Sequence, residues 1–359
     1  MSTMKFNVSL ATGKAEDHEK LAQEIAKYID TDGSEPEEGN PRTWISDAEL
    51  QAFEREVGYT QKRWDAYADI MKRAALWVEK PVSKAFLMLA HFNGERRVEN
   101  PNIALIEGLM YQSGELIKSL KKGPRKNRLD SLREYHMGIW FRRIGNYEGA
   151  MEQQARSKVK SFKEGNLVGA SIANLCREVE YFNSKISTGT VMDEDCDNLR
   201  TAAHEVVKTC TGNNETEIRW RLSNAPLHVF LAHIWVGLPL TAEDETFWAN
   251  LFFTELPKAD EEFFVKQEPV AVAIKAGLAY FKNDRVGAYR FANKVITELQ
   301  IDKQATMTAR LILARVAAAE HLEVIIKDGD FMHQLRRNAK KIREGTATLF
   351  GEFKQVAAK

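Results

Sequence analysis

The residues with the most chemical promise are cations set among aromatics. Lys121, Lys122, Arg125, Lys126 and Arg128 flank a Gly123-Pro124 break, and Arg133, Arg142 and Arg143 continue the charge along the segment that follows. Tyr135, Trp140 and Phe141 are interleaved with them. Arginine and lysine neutralise phosphates while aromatic rings stack on unpaired bases, so this mixture points to a single-stranded nucleic acid. Over residues 118–163 there are 13 bases against 4 acids, a balance of +9. Residues 1–60 run the other way at −7, and residues 335–359 stand at +5. The chain as a whole carries 51 bases and 51 acids. Overall neutrality does not exclude a polyanion, because binding follows local charge. The competing structural role is also plain: cations at the end of a helix complement its dipole.

Other chemistries find little support. Cys196, His204 and Cys210 match no standard zinc spacing, and His228 and His233 are five residues apart and share no helix face. No Gly-x-Ser-x-Gly elbow, P-loop or Gly-x-Gly-x-x-Gly fingerprint occurs. The expectation is a protein without catalytic residues, cofactor or metal. An odd number of cysteines, 3, reads as reduced thiols and a cytoplasmic setting. No apolar run is long enough for a membrane span.

The elements that must position these residues read as helices. Val168, Ile172, Leu175, Val179, Phe182 and Ile186 are spaced 4, 3, 4, 3, 4 and form one helix stripe. Met307, Leu311, Ala314, Ala318, Leu322 and Ile325 do the same later in the chain. Pro81 and Pro101 sit where a first-turn proline belongs, and Ser46 to Glu49 reads as a capping box. The one strand-like alternation is Met4, Phe6, Val8 and Leu10. The expected fold is all-α, with about fourteen helices in two lobes. The lobes span 15–187 and 188–345, between an N-terminal arm (1–14) and an apolar tail (346–359). Phe6, Val8 and Leu10 at one end, and Leu349, Phe350 and Phe353 at the other, are candidates for homo-oligomeric contact through exchanged arms.

Met137-Gly138, Phe141, Gly145, Tyr147 and Ala150 fall on the Leu-Gly, Tyr, Gly, Tyr and Ala positions of one repeat unit. Residues 134–160 thereby resemble a single tetratricopeptide unit, although Glu134 and Phe162 stand at its first aromatic and its proline position. Tyr280–Val295, with Asn283-Asp284 and Ala288, reads as a degenerate hairpin of the same kind. That resemblance implies a helical scaffold for a peptide or protein partner. The layout of helical lobes, basic centre and adhesive ends is similar to that of all-helical viral nucleoproteins and coat proteins. It implies a self-assembling, non-enzymatic protein that coats single-stranded nucleic acid.

Overall fold

The computed structural model describes residues 6–31, 36–37, 40–211, 215–255, 268–298 and 303–318. The fold is all-α. In chain order the helices are α1 (Ala15–Asp30), α2 (Ile45–Glu54), α3 (Trp64–Trp77), α4 (Pro81–Glu95), α5 (Ile103–Ser119), α6 (Pro124–Arg143), α7 (Tyr147–Lys163) and α8 (Leu167–Thr188). There follow α9 (Asp193–Thr209), α10 (Glu215–Arg219), α11 (Ala225–Val236), α12 (Ala242–Glu255), α13 (Glu268–Phe281), α14 (Arg285–Glu298) and α15 (Lys303–Ala318). Wide π-type turns at Arg55–Thr60 and Trp220–Asn224 extend α2 and join α10 to α11. Where a polar loop was expected, Pro36–Glu37 and Asn40–Trp44 form a two-stranded antiparallel ribbon, with Pro36 opposite Trp44.

The chain divides into two compact units. The first comprises residues 1–141 and 152–170, the second residues 142–151 and 171–359. The division runs through α6, α7 and α8, and residues 189–192, between α8 and α9, lie inside the second unit.

In the first unit, α1 presents Leu21, Ile25 and Ile29 at a spacing of four, all buried against Tyr67, Ile70, Met71 and Ala74 of α3. The N-terminal arm differs from expectation. Residues Val8–Thr12 form a 3-10 turn, not a strand. Asn7 accounts for this, since its Oδ1 accepts from both the Ser9 N–H (3.2 Å) and the Ser9 hydroxyl (2.7 Å), which starts a turn. A strand at that point would leave its backbone groups unpaired. Phe6 is buried edge-on against Tyr28 (5.5 Å) and Phe53 (5.9 Å), and Val8 and Leu10 pack on the same core. These three residues thus dock on their own unit. His18 fastens the turn: its Nε2 faces the Ala11 carbonyl at 3.2 Å and its Nδ1 meets Asp69 at 2.9 Å. Leu349, Phe350 and Phe353 lie outside the described residues.

One turn is built three times. Gly145, Gly165 and Asn283 take left-handed φ values of 78°, 69° and 60°. The next residue caps the following helix. Asn146 and Asn166 each accept from a glycine N–H three residues on at 2.8 Å, and Asp284 accepts from Gly287 at 2.9 Å. Ala150, Ala170 and Ala288 then sit buried in the first turn of that helix. The first two copies are 20 residues apart, one helix apart and not one helical pair. The turn inside the family-like stretch 134–160 thus recurs one helix later, at Gly165-Asn166.

Candidate polyanion-binding niche

The basic segment opens at the α5–α6 junction, and much of its charge is already engaged. Lys126 donates to the carbonyls of Lys118 (2.6 Å) and Leu120 (3.1 Å), satisfying the open end of α5. Arg133 reaches back across the same pair of helices and donates from Nε and Nη2 to the Met110 carbonyl at 3.1 and 3.0 Å. Gly114 makes room for it, since a methyl group there would meet the guanidinium at 2.9 Å. Arg125 stacks over the Phe86 ring at 4.7 Å. Arg142, in the second unit, lies 3.1 Å from the fully buried Glu180 carboxylate. Lys121 and Lys122 are exposed, as is Arg143, while Arg128 is half-buried.

The aromatics divide similarly. Trp140 is buried in a small core with Phe92, Ile106, Leu109 and Met110, and Phe141 packs against that core. The Trp140 ring is closed to a base, while Phe141 is only partly buried. Tyr135 remains partly exposed.

Arg128 meets partners that the sequence did not single out. Helix α4 ends at Glu95, and Arg96 and Arg97 follow it, their N–H groups bonded to Phe92 and Gly94 carbonyls. Both guanidinium groups turn onto one acceptor, Asn93 Oδ1, at 2.5 Å for Arg96 and 3.3 Å for Arg97. Arg96 is 4% exposed. Its Nη2 also stands 3.4 Å from His136 Nδ1 on α6. An arginine only donates, so Nδ1 is the acceptor and the imidazole proton sits on Nε2. Phe92 packs edge-on to the His136 ring at 6.3 Å, with Tyr135 at 5.6 Å. Arg97 lies over the partly exposed Trp64 ring at 4.7 Å.

Burial holds the His136 imidazole well below its usual value, and the charges of Arg96, Arg97 and Arg128 push it further in the same direction. An anion placed beside these groups would meet three guanidinium fields, a neutral imidazole and two aromatic faces. The signal available in the sequence was the Arg96-Arg97 pair itself. It lies some twenty residues before the basic segment, and only the packing of α4 on α5 and α6 joins the two.

Among the described residues no group of histidine, cysteine and carboxylate side chains is placed to hold a metal ion, and no helix is long and apolar enough to cross a membrane. Cys176, Cys196 and Cys210 are buried free thiols, and burial pushes each up to about 12, which keeps them protonated. Comparison with protein-family models, with curated proteins and with solved structures gave no match.

Proposed function

We propose that the protein is a non-enzymatic helical protein that binds single-stranded nucleic acid through the niche around His136. The observation that supports this reading is the concentration of cations around His136, where Arg96, Arg97 and Arg128 all lower the imidazole and Trp64 and Tyr135 lie alongside. Arg97 and Arg128 supply the phosphate contacts, Trp64 and Tyr135 the stacking faces, and exposed Lys121 and Lys122 extend the charged path. Arg96 is too buried to lead and acts by holding the field in place.

The test is fluorescence anisotropy with a labelled oligo-dT or oligo-U across a salt series. Arg97→Gln with Arg128→Gln is expected to weaken binding at least tenfold in low salt. It should also flatten the log–log salt slope by about 1.4, the value for two lost phosphate contacts on a single strand. Light scattering on the same complex reads self-assembly, which Leu349, Phe350 and Phe353 would mediate. Binding that ignores both substitutions overturns the proposal.

A second reading draws on a different surface. Val159, Phe162 and Leu167 on α7 and the start of α8 are 50%, 65% and 56% exposed, beside the exposed cations Arg156 and Lys163. Large apolar side chains held in water on consecutive helices suit a scaffold for an acidic, apolar peptide. A protein purified without nucleic acid, and showing no salt-sensitive oligonucleotide binding, would make this the working function.

A further inference from the structure

In the second unit, the last turns of the apolar stripe on α8 face a small cavity and not solid core. Val179, Phe182 and Ile186 line it from α8, Leu199 from α9, and Leu231 and Ala232 from α11. Val179, Phe182, Leu199 and Ala232 are buried, and Ile186 and Leu231 form a half-buried rim. The cavity encloses about 40 Å³. A cavity of about 150 Å³ takes the six carbons of benzene, so this one has room for about two heavy atoms, or for one large inert-gas atom. A ring does not fit it.

The lining also selects against water and ions. A water held inside a protein needs two to four hydrogen-bonding partners. Asn183 spends its Nδ2 on Glu180 Oε2 at 3.4 Å, which leaves one amide carbonyl for the cavity. His228 already has an interaction of its own. Burial, with the Arg142 charge adding to it, pushes its imidazole down to about 3, so it brings no charge to the wall. An ion would lose its hydration here without a counter-charge. A guest with no polar group loses nothing of that kind. It gains the dispersion contacts that the lining carbons lack across the gap.

We propose that this cavity binds an apolar gas molecule of one or two heavy atoms, in the size class of dioxygen. The first probe is xenon, dissolved under pressure over ¹³C-methyl-labelled full-length protein. The methyl resonances of Val179, Leu199 and Leu231 should shift and saturate with xenon pressure, while those of Leu21 and Ile25 in the core of the first unit stay in place. Ala232→Val adds two carbons to the wall and fills the space, so xenon affinity should fall about tenfold. Phe182→Leu widens the space and should raise the affinity about threefold. The widened variant decides the matter alone if Ala232→Val loses the parent's circular dichroism. The second probe is dioxygen, whose paramagnetism should broaden the same methyls in the parent and not in folded Ala232→Val. Shifts that rise without saturating or spread evenly through the protein would overturn the proposal. So would xenon affinity unchanged in either folded variant, or xenon binding without the broadening by dioxygen.

Discussion

Two groups of basic side chains meet different surroundings. Around the α5–α6 junction and at the end of α6, the cations are consumed by the fold: Lys126 and Arg133 bond helix carbonyls, and Arg142 balances a buried carboxylate. In the corner where the end of α4 meets α6, three arginines face a neutral imidazole. What separates them is the acceptor supplied by the neighbouring helix. A carbonyl or carboxylate within reach turns a cation into a structural part, as at Lys126, Arg133 and Arg142.

The largest expected effect tests the consumed side. Arg142→Ala leaves Glu180 buried and without its counter-charge, and removing one partner of a buried pair typically costs about 3 kcal/mol or more. Urea unfolding should show that loss near neutral pH. Burial already raises the Glu180 carboxyl above its ordinary value, with Arg142 holding it back. Without Arg142 it rises further, so the folded state gains by binding a proton and the deficit shrinks as pH falls. Arg142→Ala with Glu180→Gln should recover most of the loss. A variant as stable as the parent at every pH would show that Arg142 is not committed to the fold.

A smaller pair sharpens the same contrast. Arg133→Ala forfeits two charge-assisted bonds to one carbonyl, about 2 kcal/mol, and Lys126→Ala about 1 kcal/mol. Lys121→Ala with Lys122→Ala should leave the urea midpoint within about 0.5 kcal/mol, as surface changes do. Equal effects at all four positions would erase the distinction drawn here.

The helices were largely legible because their signals are local. The stripe from Val168 to Ile186 and the prolines opening α4 and preceding α5 mark helices that the structure contains. The N-terminal alternation misled because Asn7 competes for the backbone, and a two-fold pattern carries no information about a side-chain cap. Arg96 and Arg97 were missed because a ligand-facing niche is a tertiary fact. Their partners Asn93, Trp64 and His136 come from three helices, and no spacing rule links them. The repeated turn was half seen: Gly145 and Asn283 stood out within family-like surroundings, and Gly165-Asn166 did not.

The smallest effect bears on Arg128, which stands between the two groups. It acts on His136 and also on Glu164, whose carboxyl burial raises to about 6 while Arg128 holds it down. A carboxyl raised on folding makes the native state bind the extra proton. Stability from this group is therefore greatest below the ordinary carboxyl value and declines as pH rises from about 4.5 to about 6. Glu164→Gln should flatten that part of the urea-midpoint profile. Arg128→Gln should move the decline to higher pH, because the restraining charge is gone, and should let the His136 imidazole titrate higher in an NMR pH series. If neither group moves, Arg128 acts on neither of them. If both move, the same guanidinium serves fold and ligand, and bound oligonucleotide should reproduce the Glu164 shift by drawing Arg128 off the carboxylate.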